Sequence, residues 1–279
     1  MSSLVINVAK AILPRQARAP LRHGWMMLQA ALSSPGNRVT YLRAKHERRR
    51  VDPNSVLPRQ GGYPRAGGRM FNYNHALVPN PYVAELESRS PDIDAAIANT
   101  GLTIGYPAWN LLYYALLCSL GAERRQVSVV ETGTNHGFST ILLAQALKDT
   151  GARGILRTVD IDPDRVEIAR QNVARAGLSE WVEFHVQDSL QFLSQLVKEV
   201  PCIDFAFLDG SHEWSHVTKE FGIIYPRIVA CKGKVYLDNT RSGGVAVAMQ
   251  FIRQAYGGNF IEFNNCSWSP PGNAIWQPD

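Results

Sequence analysis

An apolar run, Val127 to Val130, ends in the segment ETGTNHGFS (131–139) and leads straight into the helix-forming ILLAQAL. A buried strand that turns on glycines into a helix leaves the backbone few options. Gly133 and Gly137 lack a Cβ, so the turn can take positive φ and let a ligand approach the main chain. The helix that follows presents unpaired N–H groups to a carboxylate or phosphate. The feature predicts a cradle for an anionic group at the carboxyl end of a strand in an α/β sheet.

The rest of the chain extends that pattern. Strands are expected at 127–132, 155–160, 181–186, 203–209 and 233–238, with helices at about 138–149, 163–177, 189–199, 214–228 and 243–256 between them. Upstream, YVAELE and PDIDAAIAN predict two short helices, and PAWNLLYYALLCSL predicts an apolar one beneath the sheet. NFIEFN (259–264) and NAIWQ (273–277) are separated by the turn-rich NCSWSPPG and should pair antiparallel. Five strand–helix units and a terminal hairpin make a doubly wound, seven-stranded, mostly parallel sheet whose ligands bind at the strands' carboxyl ends.

With 279 residues and 45% hydrophobic content, the chain has one good core with length to spare. Residues 101–279 are read as the ligand-binding domain and 1–100 as an extension that covers the substrate or mediates oligomerisation. Charge divides the same way: residues 1–70 hold 13 Lys and Arg against 2 Asp and Glu, and the remainder holds 16 against 22. A basic head of this kind suits an anionic substrate, nucleic acid, a membrane face or simply a solvated surface. It carries no aromatic-interleaved RNA motif. Residues 2–13 read as a short amphipathic packing helix. Four widely spaced cysteines (Cys118, Cys202, Cys231 and Cys266) give neither a CxxC pair nor a disulfide framework. With no signal-peptide pattern and no transmembrane stretch, a cytoplasmic protein is expected.

The identity of the ligand follows from the acids. The loop does not spell the GxGxxG of dinucleotide folds, and a carboxylate at Glu131 would repel a pyrophosphate. It suits a ligand that carries an ammonium and a sulfonium, as S-adenosylmethionine does. Asp160, ending the second strand in TVDIDP, is placed to accept both ribose hydroxyls. Asp188 and Ser189, after the third strand, are placed at the adenine edge. Each of these acids could equally be a helix cap, but they recur at successive strand ends. With ETGTNHG, VDIDP and QDS, the chain resembles the class I S-adenosylmethionine-dependent methyltransferases over roughly residues 100–279. The resemblance implies cofactor roles for Glu131, Gly133, Gly137, Asp160, Asp188 and Asp209, and more loosely for Ser139 and Ser189.

Two further strand ends carry reaction chemistry. FAFLDGSHEW supplies Asp209 and His212, and KVYLDNT supplies Asp238 and Asn239. Adjacent strand ends lie about 5 Å apart, so Asp209, Asp238 and Asn239 are expected to share one hard cation, Mg²⁺ before Ca²⁺ or Mn²⁺. This pattern is similar to that of the catechol and caffeoyl-coenzyme A O-methyltransferases, and more broadly to the sugar, macrolide and cephamycin-type enzymes. The chain departs from the catechol type at position 212, where those enzymes have a catalytic lysine and this sequence has histidine. An imidazole of ordinary pKa near 6.5 can accept a hydroxyl proton at neutral pH, which makes His212 the expected base beside Asp209. His136 and His216 are fallbacks.

The resemblance implies O-methylation of a small hydroxylated acceptor, sugar-like, phenolic or another secondary metabolite, by a homo-oligomer such as a dimer. Tyr106, Trp109, Trp214, Trp268 and the loop 264–273 are candidate pocket walls. Two other readings stay open: an RNA methyltransferase, favoured only by the basic head and lacking an NPPY-like tetrapeptide, and a binding or scaffold protein without turnover.

Overall fold

Strands and helices alternate along the chain as the apolar periodicity requires. The computed structural model describes residues 78–90, 93–101, 110–120, 126–240, 243–263 and 272–279. Three helices come first: α1 (Pro81–Ser88), α2 (Ile93–Thr100) and α3 (Asn110–Leu120). Then follow β1 (Gln126–Thr132), α4 (Phe138–Thr150), β2 (Arg153–Asp160), α5 (Pro163–Arg175), β3 (Val182–Val186) and α6 (Ser189–Glu199). The chain continues through β4 (Phe205–Leu208), α7 (Trp214–Ala230), β5 (Lys234–Asp238) and α8 (Gly243–Tyr256), and closes with β6 (Asn259–Phe263) and β7 (Asn273–Gln277). β4 is shorter than the expected 203–209 because the Asp204 carboxylate, in place of a ladder carbonyl, accepts the Ser128 N–H at 2.8 Å.

The seven strands lie in the order β3-β2-β1-β4-β5-β7-β6. β1 is parallel to β2 on one side and β4 on the other, and Glu131 faces Thr158 and Phe207 in those two registers. The connection reverses direction between β1 and β4, which makes their carboxyl ends the switch point at which ligands bind. β7 runs antiparallel to both β5 and β6, so the expected antiparallel pairing of the last two strands is present and β7 is the one reversed strand among the seven described.

Alternation within the strands divides the core in two. Val129, Phe205, Phe207, Tyr236 and Ile275 face the layer containing α1, α3 and α4. Val130, Ala206, Leu208, Val235, Leu237 and Trp276 face α6, α7 and α8. A period of two on strands covered by helices on both faces is what a doubly wound sheet demands. α1 belongs to the first layer: its cap Asn80 donates to Gln145 Oε1 at 2.9 Å and the Ala176 carbonyl at 3.0 Å, and Val83 is wholly buried.

The basic stretch 1–70, Tyr106, Trp109, Trp268 and nearly all of the loop 264–273 lie outside the described residues. Among the described residues, no helix is long and apolar enough to cross a membrane.

Candidate active site

The glycine turn builds the first half of the site. Glu131 is fully buried at the end of β1, where its Oε2 accepts hydrogen bonds from Thr140 at 2.6 Å and Thr158 at 2.7 Å. Its Oε1 is buried with no hydrogen-bond partner. Burial pushes the carboxyl pKa up to about 7; the Ser139, Thr140 and Thr158 hydroxyls pull it down, and Asp209 pushes it up. A desolvated carboxylate with one bare oxygen fits a cationic group, which would bring the ionised form back.

Gly133 has φ +89°, and a Cβ there would lie 2.7 Å from the Asp209 carbonyl oxygen, so the turn rests against the end of β4. Gly137 has φ +81° and sits equally close to Ala169 of α5. Asp160 holds the turn from the other side: its Oδ2 accepts the Asn135 N–H at 2.8 Å and its Oδ1 the Asp162 N–H at 3.0 Å. Each carboxylate oxygen keeps lone-pair capacity for a ribose hydroxyl. Asp188 caps α6 by accepting the Leu190 and Gln191 N–H groups through Oδ1, and Ser189 Oγ lies 2.9 Å from His216 Nε2.

The second half lies on β4 and β5. Asp209 Oδ1 is 3.2 Å from both His212 Nε2 and Asn239 Nδ2, and those two nitrogens are 3.2 Å from each other. Asn239 takes a left-handed conformation (φ 60°), which turns its amide back over the strand end. Asp238 points elsewhere, accepting a hydrogen bond from Asn273 Nδ2 of β7. Burial and the neighbouring Asp209 charge raise the Asp238 pKa well above its ordinary value. Asp209, His212 and Asn239 are therefore in mutual contact, while Asp238 joins them through its field.

The fallback histidines are engaged elsewhere. The His136 ring packs on Gly101, where a Cβ would lie 2.1 Å from Nδ1. His216 Nε2 sits 3.3 Å from Oε1 of the fully buried Glu220, in addition to Ser189. Burial alone would lower the His216 pKa, but Glu220, with smaller help from Asp188 and Glu213, leaves it raised.

Several participants carry no signal in the sequence. Thr140 and Thr158 reach Glu131 only because the turn and the β1–β2 register bring them there. Asn273 meets Asp238 only because β7 reverses. Asn135 sits within the glycine segment, but its role is played by its N–H, which no side-chain pattern discloses.

Residues 130–240 match the family model described as "Methyltransferase domain". The chain is similar to a catechol O-methyltransferase of Niastella koreensis, at 28% identity over 184 residues covering 61% of this chain and 80% of that protein. A catechol O-methyltransferase of Mycobacterium tuberculosis is 32% identical over 132 residues, 47% of this chain and 56% of its own length. In fold it is similar to an O-methyltransferase from Bacillus cereus in complex with SAH, with TM-score 0.55 and 20% identity over 73% of this chain and 94% of that one. An O-methyltransferase from Streptomyces achromogenes in complex with SAM gives TM-score 0.53 and 21% identity, covering 71% of this chain and 90% of that one. Residues 130–240 thus match a methyltransferase domain, and in sequence and fold the chain is similar to S-adenosylmethionine-dependent O-methyltransferases.

Proposed function

We propose that the protein methylates a hydroxyl of a small molecule, with Asp209, Asp238 and Asn239 holding a divalent cation and His212 accepting the proton. The observation that carries this reading is the Asp209, His212 and Asn239 contact triangle beside a buried second carboxylate. Asn239 Oδ1 is buried without a hydrogen-bond partner. Turning the amide over would bring that oxygen to Asp209, an approach of two acceptors that a cation between them makes favourable. All three donors are oxygens, which favours Mg²⁺.

When bound, S-adenosylmethionine supplies an electrophilic methyl and the cation acidifies the acceptor hydroxyl. The chain's own contribution is placement. Glu131, with Ser139 beside it, and the Gly133–Gly137 turn receive the charged amino-acid end of the cofactor. Asp160 receives the ribose, and Asp188 and Ser189 border the adenine. Asp209 holds Nε2 of His212 at 3.2 Å, which leaves Nδ1 as the nitrogen that would take the acceptor's proton in an in-line methyl transfer. The relatives named for catechol make a planar vicinal diol the first acceptor to try, with sugar hydroxyls second.

The test is methyl transfer to both acceptor classes with and without Mg²⁺, repeated with His212→Ala, Asp209→Ala and Asp238→Ala. Loss of rate in EDTA and its restoration by Mg²⁺ are expected, with kcat falling about 10²- to 10⁴-fold in His212→Ala. Undiminished transfer by the aspartate variants in EDTA would overturn the cation and leave the cofactor assignment standing.

A further inference from the structure

At the amino ends of the central strands, Cys202, Asp204 and Cys231 bring two thiol sulfurs and a carboxylate oxygen within 4.8 Å of one another. Cys202 and Asp204 precede β4, and Cys231 follows α7. The cluster thus lies roughly 20 Å along the strand from Asp209, outside the site already described. The reaction above has no use for it.

We infer that these three residues form a binding site for a thiophilic divalent cation of the zinc class. The donor set is the first reason. Two sulfurs and one carboxylate match the ligands that Zn²⁺ takes, and three protein donors leave a fourth position for water. Both cysteines are partly exposed, so solvent and ion can reach them, whereas Asp204 is 5% exposed. In a tetrahedral site with Zn–S near 2.3 Å, donor atoms stand roughly 3.3 to 3.8 Å apart. Closing from the observed spacing requires only side-chain adjustment.

The second reason is a backbone that is already fixed. Asp204 Oδ2 is held by the Ser128 N–H at 2.8 Å, which fixes the carboxylate beside the two sulfurs. The Ile203 N–H donates to the Arg227 carbonyl, and the Lys234 N–H to the Asp204 carbonyl, each at 3.0 Å. Between these bonds Lys232 turns with φ 54°, and a Cβ on Gly233 would lie 2.2 Å from the Ile203 carbonyl oxygen. The turn carrying Cys231 is pressed directly onto the segment carrying Cys202 and Asp204.

Charge separates this role from a redox one. Disulfide exchange has no use for the carboxylate, whereas a bound cation stabilises two thiolates and a carboxylate together. Binding releases the two thiol protons to solvent and forms two metal–sulfur bonds, with no change of oxidation state. The sulfurs also distinguish the site from the oxygen cluster around Asp209, which favours Mg²⁺.

The experiment is titration of the reduced full-length protein with Co²⁺ in excess Mg²⁺, followed by Zn²⁺. We expect a thiolate-to-cobalt charge-transfer band that saturates at one equivalent and is displaced by Zn²⁺. Cys202→Ser and Cys231→Ser should each weaken the band and lower affinity at least tenfold. Asp204→Asn keeps an oxygen for Ser128 and should lower affinity while retaining the sulfur band. Absence of the band in the wild-type protein, which needs no variant to observe, would overturn the site. So would a band that survives both serine substitutions, which would move it to Cys118 or Cys266, or disulfide formation in air without ion uptake.

Discussion

Glu131 concentrates the electrostatics of the cofactor half in one side chain. Its carboxyl is shifted from 4.5 to about 7 by burial, so between those pH values the folded state holds a proton that the unfolded chain has released. Stability of the ligand-free protein should therefore fall as pH rises through that window, by about 3 kcal/mol for the full shift, and level off above it. Glu131→Gln should remove the slope, as urea titrations at a series of pH values would show. The same ionisation should make S-adenosylmethionine bind more tightly as pH rises through about 7, a trend calorimetry should find missing in the Gln variant. Asp160→Ala should weaken the cofactor about 10- to 100-fold, through lost hydroxyl contacts and a loosened Asn135 N–H. At this scale the sequence placed the acids and glycines at the strand ends where the structure has them, because apolar periodicity fixes where each strand stops. It did not disclose Thr140, Thr158 or Asn273, whose roles arise only from register and strand reversal.

Among the elements, the strand–helix alternation was legible because every helix between β1 and β6 begins and ends near a change in hydrophobic period. Boundaries were less legible where a side chain replaces a backbone partner, as Asp204 does at the start of β4. The hairpin was readable as two apolar segments, but its insertion with β7 between β5 and β6 was not. That reversed strand is anchored by Trp276, fully buried with its ring 5.0 Å from that of Phe221 and its Nε1 donating to the Gly257 carbonyl at 2.9 Å. Trp276→Ala should cost about 3 to 5 kcal/mol, measured by denaturant unfolding. Tyr225 and Tyr256, also in contact with that cluster, make collapse of the resulting cavity unfavourable.

For the whole molecule, two ligands that bind only the folded state should add their stabilisation. Mg²⁺ or S-adenosylmethionine at a hundredfold excess over its Kd should each contribute about 2.7 kcal/mol, raising Tm in thermal melts. EDTA should reverse the Mg²⁺ part alone. Asp238 should respond to the cation, since a positive charge offsets the burial and the Asp209 repulsion that raise its pKa. The opposed charges of residues 1–70 and of the remainder were plain in the sequence, whereas the purpose of the basic stretch was not, because charge alone does not name a partner.

Asn273, on the last strand, reaches across to Asp238 and thereby ties the end of the chain to the proposed cation cluster. The acids proposed to face the cofactor stand on β1, β2 and the turn after β3, and the hydrogen bonds described for them come from the turn after β1, from β2 and from the starts of the helices that follow. On the proposed reading, the hairpin contributes to acceptor activation through Asn273 and not to cofactor capture. Drift in the terminal hairpin would then retune, or silence, the choice of acceptor while the capacity to capture a methyl donor is inherited intact.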